Sequence, residues 1–281
     1  MPTLVIHGGA GAREGSHSRY EEYAEHLIAI LERSYLILQQ SDARGAMLHT
    51  VRSLEDDPIF NAGTGSRIQR DGRIRMSAAM MGAAALEFSG VINIEEVAHP
   101  IDVAQLLAGE RHKVLAGEGA QRFAREHGIT VHDPATPHRR AEFENRHAGT
   151  RGTVGAVALD GDGDLWVGTS TGGVGYELPG RVSDSATVAG TYAGPTLGVS
   201  CTGNGEHIVN HAAAARVVTR VEDGLILDEA VGKTIAEANT RGFEYGLIAL
   251  DRSGMVATGE TDGITALFAI HDGTTIRTFL S

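Results

Sequence analysis

The apolar patterning of this sequence is interrupted between about residues 131 and 152 and restarts abruptly at Thr153. The interruption contains Pro134, Pro137 and many charges, with almost no apolar periodicity. Such a stretch buries too little apolar surface to order itself and reads as an exposed, mobile linker. A fold must therefore be assembled from two blocks, 1–152 and 153–281.

The first block opens with "TLVIHGGAGA", a short buried strand running into a glycine turn. Leu27, Ile28, Leu31, Tyr35 and Leu38 recur at helical spacing, and "ARGAMLHTVRSLED" predicts a second helix. "SRIQRDGRIRMSAAMMG" predicts two strands joined at Asp71–Gly72, and "ALEFSGVINI" continues as strand. "IDVAQLLAG" and "VLAGEGAQRFAREHG" predict helices, the second closed by Gly128. The second block begins with a hairpin, "TVGAVALD" and "LWVGTST" around "GDGD". "ATVAGTYAG" and "LGVSCTG" follow as strands, then helices over "EHIVNHAAAARVVTRV" and "LDEAVGKTIAEANTRG". "YGLIALDRSGMVATGE" and "ITALFAIHDGTTIRTFL" close the chain as hairpins. Antiparallel hairpins with paired helices predict an α+β arrangement of stacked sheets covered by helices, not a Rossmann alternation.

Several function classes are disfavoured. The formal charge of −12 repels nucleic-acid phosphates and anionic membranes. Apolar runs fall short of the roughly 20 residues that span a bilayer. The start "MPTLVIHGGAGA" lacks the features of a secretory signal, and Cys201 has no cysteine partner, so a cytoplasmic setting is expected. "HGGAGAREG" opens no G-x-G-x-x-G turn, and no phosphate-loop lysine motif occurs. His207 and His211 could share a helix face, but no carboxylate completes a metal site. "GDGD" lacks the closing glutamate of a calcium loop and reads as a turn. Cys201, in a strand-like run, reads as a small buried residue.

Thr153 remains. Within a chain a threonine hydroxyl is a weak nucleophile. At a chain terminus it gains an α-amine with a reference pKa of about 7.7–8.0, so one residue supplies nucleophile and base. That requires cleavage of the Gly152–Thr153 bond, and a glycine there tolerates the backbone strain of self-attack. By spacing alone, a threonine that merely opens a strand is the better explanation of the position.

The surroundings add more. "RGTVGAVALD", "GTSTGG", "LPGRVSDS" and "SCTGNGE" resemble, in order, motifs of the plant-type (class 2) L-asparaginases and isoaspartyl peptidases, which are N-terminal nucleophile hydrolases. "VIHGGAG" and "LEDDPIFNAGTGS" extend the resemblance over residues 4 to 260 or so. It implies a four-layer αββα sandwich made as a precursor. Autocatalytic cleavage between Gly152 and Thr153 would yield an α subunit, 1–152, and a β subunit, 153–281, pairing as a dimer of such units. It further implies Thr153 as nucleophile, Thr171 as its activating neighbour and Asn61 as an orienting residue. Arg181 and Asp184 would hold the α-carboxylate and α-ammonium of the substrate, with the Thr202 hydroxyl and Gly203 N–H as oxyanion hole. Backbone carbonyls of Leu54, Glu55, Asp57, Phe60, Ala62 and Thr64 would hold a structural sodium ion, and no catalytic cofactor is expected. The substrate would be asparagine or a β-aspartyl dipeptide. A glycosylasparaginase-like amidase and an uncleaved binding protein are the rival readings.

The chain departs from the family pattern in places. Ser77 and Gly82 replace acidic residues, and the stretch from Asp184 to Tyr192 is about two residues short. Phe243 and Tyr245 stand where glycines are usual, and the tail "TDGITALFAI" differs. These changes shift the expectation from free asparagine toward a β-aspartyl dipeptide or an unusual amide.

Overall fold

The computed structural model describes residues 1–12, 17–145 and 152–280. Alternation along the strands explains the arrangement. On β1 (Thr3–Ala12), Leu4 and Ile6 join one apolar cluster while Val5 joins another. On β5 (Val154–Leu159), Ala156 and Ala158 go with the first, Val157 and Leu159 with the second. Period-2 patterning with both faces apolar buries a strand on two sides.

The first cluster is shared with α1 (His17–Gln40), α2 (Ala43–Asp56) and α3 (Pro100–Leu107). These helices pack on an eight-stranded sheet. Its order is β12–β11–β1–β5–β6–β2–β3–β4, with β2 at Met76–Gly82, β3 at Glu87–Ile94, β4 at Val114–Ala116 and β6 at Leu165–Thr171. β11 (Ile264–His271) and β12 (Ile276–Thr278) complete it. α4 (Gly117–Glu126) packs near β3 and β4. The second sheet has the order β10–β9–β8–β7, with β7 at Thr191–Ala193, β8 at Leu197–Gly203, β9 at Tyr245–Asp251 and β10 at Val256–Glu260. Ile248 and Leu250 of β9 meet Val5, Val157 and Val167 between the sheets. Leu247 and Ala249 pack outward under α7 (Ala213–Glu222) and α8 (Leu227–Thr240). The protein is α+β; the described strand pairs are antiparallel except β3–β4.

Four expectations need correction. The 131–152 segment is not linker throughout: Pro137–Glu144 forms α5, started by a Thr136 cap on Arg139 N–H at 3.2 Å. The Arg139 side chain is buried and donates to the Gly65 carbonyl at 2.6 Å, so a tertiary charge contact orders a segment without apolar periodicity. Residues 146–151 lie outside the described residues. The Asp71–Gly72 turn forms, with Gly72 at φ +83, but strand begins only at Met76. Residues 68–70 pair instead with 176–177, through Tyr176 N–H to Ile68 O and Arg70 N–H to Glu177 O. The helix expected over 206–221 breaks at Ala212, which is left-handed at φ 49, ψ 47 and separates α6 (Gly205–His211) from α7. "ATVAG" before β7 is turn, held by Thr187 N–H to Asp184 O.

Candidate active site

Thr153 immediately precedes β5, and antiparallel pairing of Val154 with Ser170 on β6 sets Thr171 beside it. The buried Thr153 hydroxyl donates to Thr171 Oγ1 at 3.0 Å. Thr171 Oγ1 also accepts from Gly173 N–H at 3.2 Å, so two donors converge on it. The Thr153 carbonyl accepts from Thr202 Oγ1 at 3.3 Å and from His7 Nδ1 at 3.0 Å. Thr202 lies on β8 of the smaller sheet, so the nucleophile candidate is gripped from both sheets. Gly203 follows at φ +135, where a Cβ would lie 2.6 Å from Tyr245 Cα. Glycine is required there on both counts.

Asn61 approaches from the other side. Its side chain is fixed by donating to Gly173 O at 2.6 Å and accepting from Arg67 N–H at 3.0 Å. Its backbone N–H donates to Gly152 O at 3.3 Å. The expected reason for Gly152 was tolerance of strain, but its φ is outside the left-handed region. The observed reason is close approach: a Cβ at Gly152 would lie 2.7 Å from Asn61 Cβ.

Arg181 and Asp184 border the same cleft with Gly152, Thr153, Thr171, Ser183, Gly203 and Gly205. The unfilled space is about 10 Å³, room for about one water. Arg181 is held by Glu206, from Nε at 2.6 Å and Nη2 at 2.8 Å, and by Glu177 from Nη1 at 3.0 Å. A guanidinium has five N–H groups, so each Nη keeps one donor beyond these bonds. Asp184 is 2% exposed, its Oδ2 has no hydrogen-bond partner, and burial raises its pKa to about 6. Gly190 packs against it: a Cβ there would lie 2.4 Å from Asp184 Oδ2, so the short 184–192 connection closes directly over the carboxyl.

The other departures lie away from the cleft lining. Ser77 pairs in register with Thr171, but its hydroxyl accepts from Asn93 N–H at 3.1 Å. Gly82 lies under the Trp166 ring, 2.6 Å from where a Cβ would stand. Tyr245 is fully buried on the outer side of the small sheet with its hydroxyl 2.6 Å from His211 Nδ1, and Phe243 stacks on His207. These contacts also engage both histidines, and no cluster of three metal-ligating side chains occurs among the described residues. Cys201 is buried, and burial pushes its thiol pKa up.

The loop after α2 folds tightly on itself. A Cβ at Gly63 would lie 2.4 Å from Glu55 O, and one at Gly65 2.9 Å from Phe60 O. Glu55 O and Asp57 O accept from Thr64 N–H and Phe60 N–H, while Arg139 Nη2 reaches Phe60 O at 3.5 Å. Neutral carbonyl oxygens of this kind suit a hard monovalent cation, although two of them already have backbone partners.

Sequence reasoning passed over four residues around the cleft. Glu177 and Glu206 orient Arg181, while His7 and Ser200 lie beneath Thr153. The Glu177–Arg181 pair lies in a non-helical segment, where a spacing of four residues announces no contact. His7, inside the apolar "LVIHGG", gave no signal beyond its own polarity.

Comparison with known proteins bears on this geometry. A family model described as asparaginase matches residues 1–151 and 139–280. The chain is 43% identical to an isoaspartyl peptidase/L-asparaginase of Nostoc, covering 97% of this chain and 92% of that protein. It is 36% identical to a plant-type L-asparaginase of Pyrococcus abyssi, covering 91% and 92% respectively. It is 37% identical to an isoaspartyl peptidase of Salmonella typhimurium, covering 90% of each chain. Matched along nearly its whole length, with Thr153, Thr171, Arg181 and Asp184 lining one cleft and Asn61 and Thr202 bonded to its walls, this chain belongs to the asparaginase family.

Proposed function

We propose that this protein is a self-processing threonine amidohydrolase that cleaves β-aspartyl isopeptide bonds or the side-chain amide of asparagine. The observation that carries this reading is the pairing of Thr153 Oγ1 with Thr171 while Asn61 N–H donates to the carbonyl of Gly152. The hydroxyl hydrogen is drawn toward Thr171, which leaves the oxygen lone pairs free, and the carbonyl next to it is polarised by a backbone donor.

In maturation, Thr153 Oγ attacks the Gly152 carbonyl carbon, and the oxyanion is met by Asn61 N–H. The Oγ proton is delivered to the Thr153 nitrogen as the C–N bond breaks, and Gly152 becomes an ester on Oγ. Water hydrolyses that ester, freeing the Gly152 carboxylate and the Thr153 α-amine. Removal of Gly152 from the cleft makes the room that the uncut chain lacks.

In turnover, Arg181 grips the α-carboxylate of the substrate with its remaining Nη donors, and Asp184 pairs with the α-ammonium. The α-amine of Thr153 takes the hydroxyl proton as Oγ attacks the side-chain carbonyl, then passes it to the leaving amine. Gly203 N–H holds the oxyanion together with the Thr202 hydroxyl, which turns from the Thr153 carbonyl to donate to it. Water then releases aspartate from the ester. The two packed sheets with outer helices support the reading of a four-layer αββα sandwich. We further assign a structural sodium ion to the 54–64 carbonyls and a paired αβ assembly in the cytoplasm. No helix among the described residues is long and apolar enough to cross a membrane.

Intact-mass analysis of the purified protein, with assay on a panel of β-aspartyl dipeptides, asparagine and glycosylated asparagine, tests the reading. The expected result is two fragments, one starting at Thr153, with turnover of a β-aspartyl dipeptide. A single uncut chain inert toward all of these substrates overturns it.

A further inference from the structure

We propose that His7 is a positioning residue for this chemistry, gripping the Thr153 carbonyl so that the α-amine and hydroxyl of the cut chain face the substrate together. The inference rests on the hydrolase reading above.

The bonding pattern is directional. His7 Nδ1 lies 3.0 Å from Thr153 O, and a carbonyl can only accept, so Nδ1 carries the proton. Nε2 is then an acceptor in the neutral ring and takes the hydroxyl hydrogen of Ser200 at 2.7 Å. Ser200 Oγ in turn accepts from Thr169 Oγ1 at 2.7 Å. One carbonyl thus fixes the tautomer of the histidine and the direction of every hydroxyl behind it. Thr169 is on β6 and Ser200 on β8, so the chain of bonds links the two sheets beneath the nucleophile. His7, Thr169 and Ser200 are each fully buried, where a polar chain needs every member satisfied. Burial also lowers the His7 pKa to about 3, which keeps the ring neutral at working pH.

A second observation points the same way. Gly155 pairs with His7 across β1 and β5. A Cβ there would lie 2.2 Å from Ser200 Oγ and 2.4 Å from His7 Nε2. The strand leaving the nucleophile is therefore kept bare where the histidine passes.

Cleavage gives the contact its importance. The backbone nitrogen of Thr153 becomes a free amine, so the carbonyl is its remaining backbone hydrogen-bonding group that protein can grip. Fixing that carbonyl fixes the Cα, and with it the amine relative to Oγ.

Three variants test this: His7→Leu, His7→Asn and Ser200→Ala. Self-cleavage half-time, kcat and KM on a β-aspartyl dipeptide are measured on folded protein, with kinetics on the cut fraction. His7→Leu is expected to lower kcat and the self-cleavage rate about ten- to hundred-fold, the range expected for one buried hydrogen bond. KM should stay within about three-fold, because the ring does not touch substrate. His7→Asn, which keeps an N–H near the Nδ1 position, should recover much of the loss, and Ser200→Ala should fall between. A folded, cut His7→Leu enzyme with kcat within about two-fold of wild type overturns the proposal. If His7→Leu does not fold, wild-type kcat in Ser200→Ala overturns it instead. A wild-type chain that neither cuts itself nor hydrolyses substrate defeats the functional reading, and this inference with it.

Discussion

On the proposed reading, Thr153 is one residue with two chemical lives. In the uncut chain its nitrogen is an amide and cannot take a proton; after the cut it is an amine that can. Replacing it removes both. Thr153→Ala should remain a single chain and lose turnover by on the order of 10⁴-fold or more, read by intact mass and product formation. Asp184 carries a second expectation. Its carboxyl, raised to about 6 by burial, would pair with a substrate ammonium, as proposed, only when ionised. KM should therefore rise as pH falls below about 6 while kcat changes less, which a KM profile from neutral to acid pH will show. Much of this was legible in the sequence because Asn61, Thr171, Arg181, Asp184 and Thr202 stand in short motifs of fixed order. His7 was not, because a polar side chain inside an apolar strand has no local pattern to announce its partner. That partner lies 146 residues away.

At the scale of elements, the strands and most helices follow their periodicity, and the exceptions share a cause. α5 has few apolar residues, and Arg139 anchors it to the Gly65 carbonyl, which no periodicity reports. Arg139→Met should strip that carbonyl of its partner and cost about 1–3 kcal/mol. Differential scanning calorimetry should show the lowered Tm, and limited proteolysis should find 137–144 newly accessible. The break at Ala212 has a tertiary origin as well: Ala214 N–H reaches Ala189 O at 2.8 Å, which a continuous helix would not allow. A non-glycine residue in the left-handed region costs about 1–2 kcal/mol. Ala212→Gly should therefore stabilise the protein by about 1 kcal/mol in denaturant titration, because the position is already outside helical geometry.

For the whole molecule, the two blocks read from the sequence share one sheet. In the larger sheet β1 lies between β11 and β5, and β2 lies between β6 and β3. Strands from either side of the proposed cut thus alternate, and β1 is paired along both edges by strands of the second block. The fragments should co-elute on native size exclusion and part only in denaturant. Local hairpins were readable because their turns are local. The insertion of β1 was not, since it depends on surfaces more than a hundred residues apart.

That insertion also acts as a clock. Translation makes β1, at 3–12, about 250 residues before β11, at 264–271. Until β11 arrives, one edge of β1 is unpaired and the sheet that steadies His7 against Thr153 is incomplete. A chain ending at residue 262 should accordingly stay uncut, as gel electrophoresis of that truncation would report. On the proposed reading, scission waits for β11 to be made and seated, and a nascent chain that still lacks it is inert.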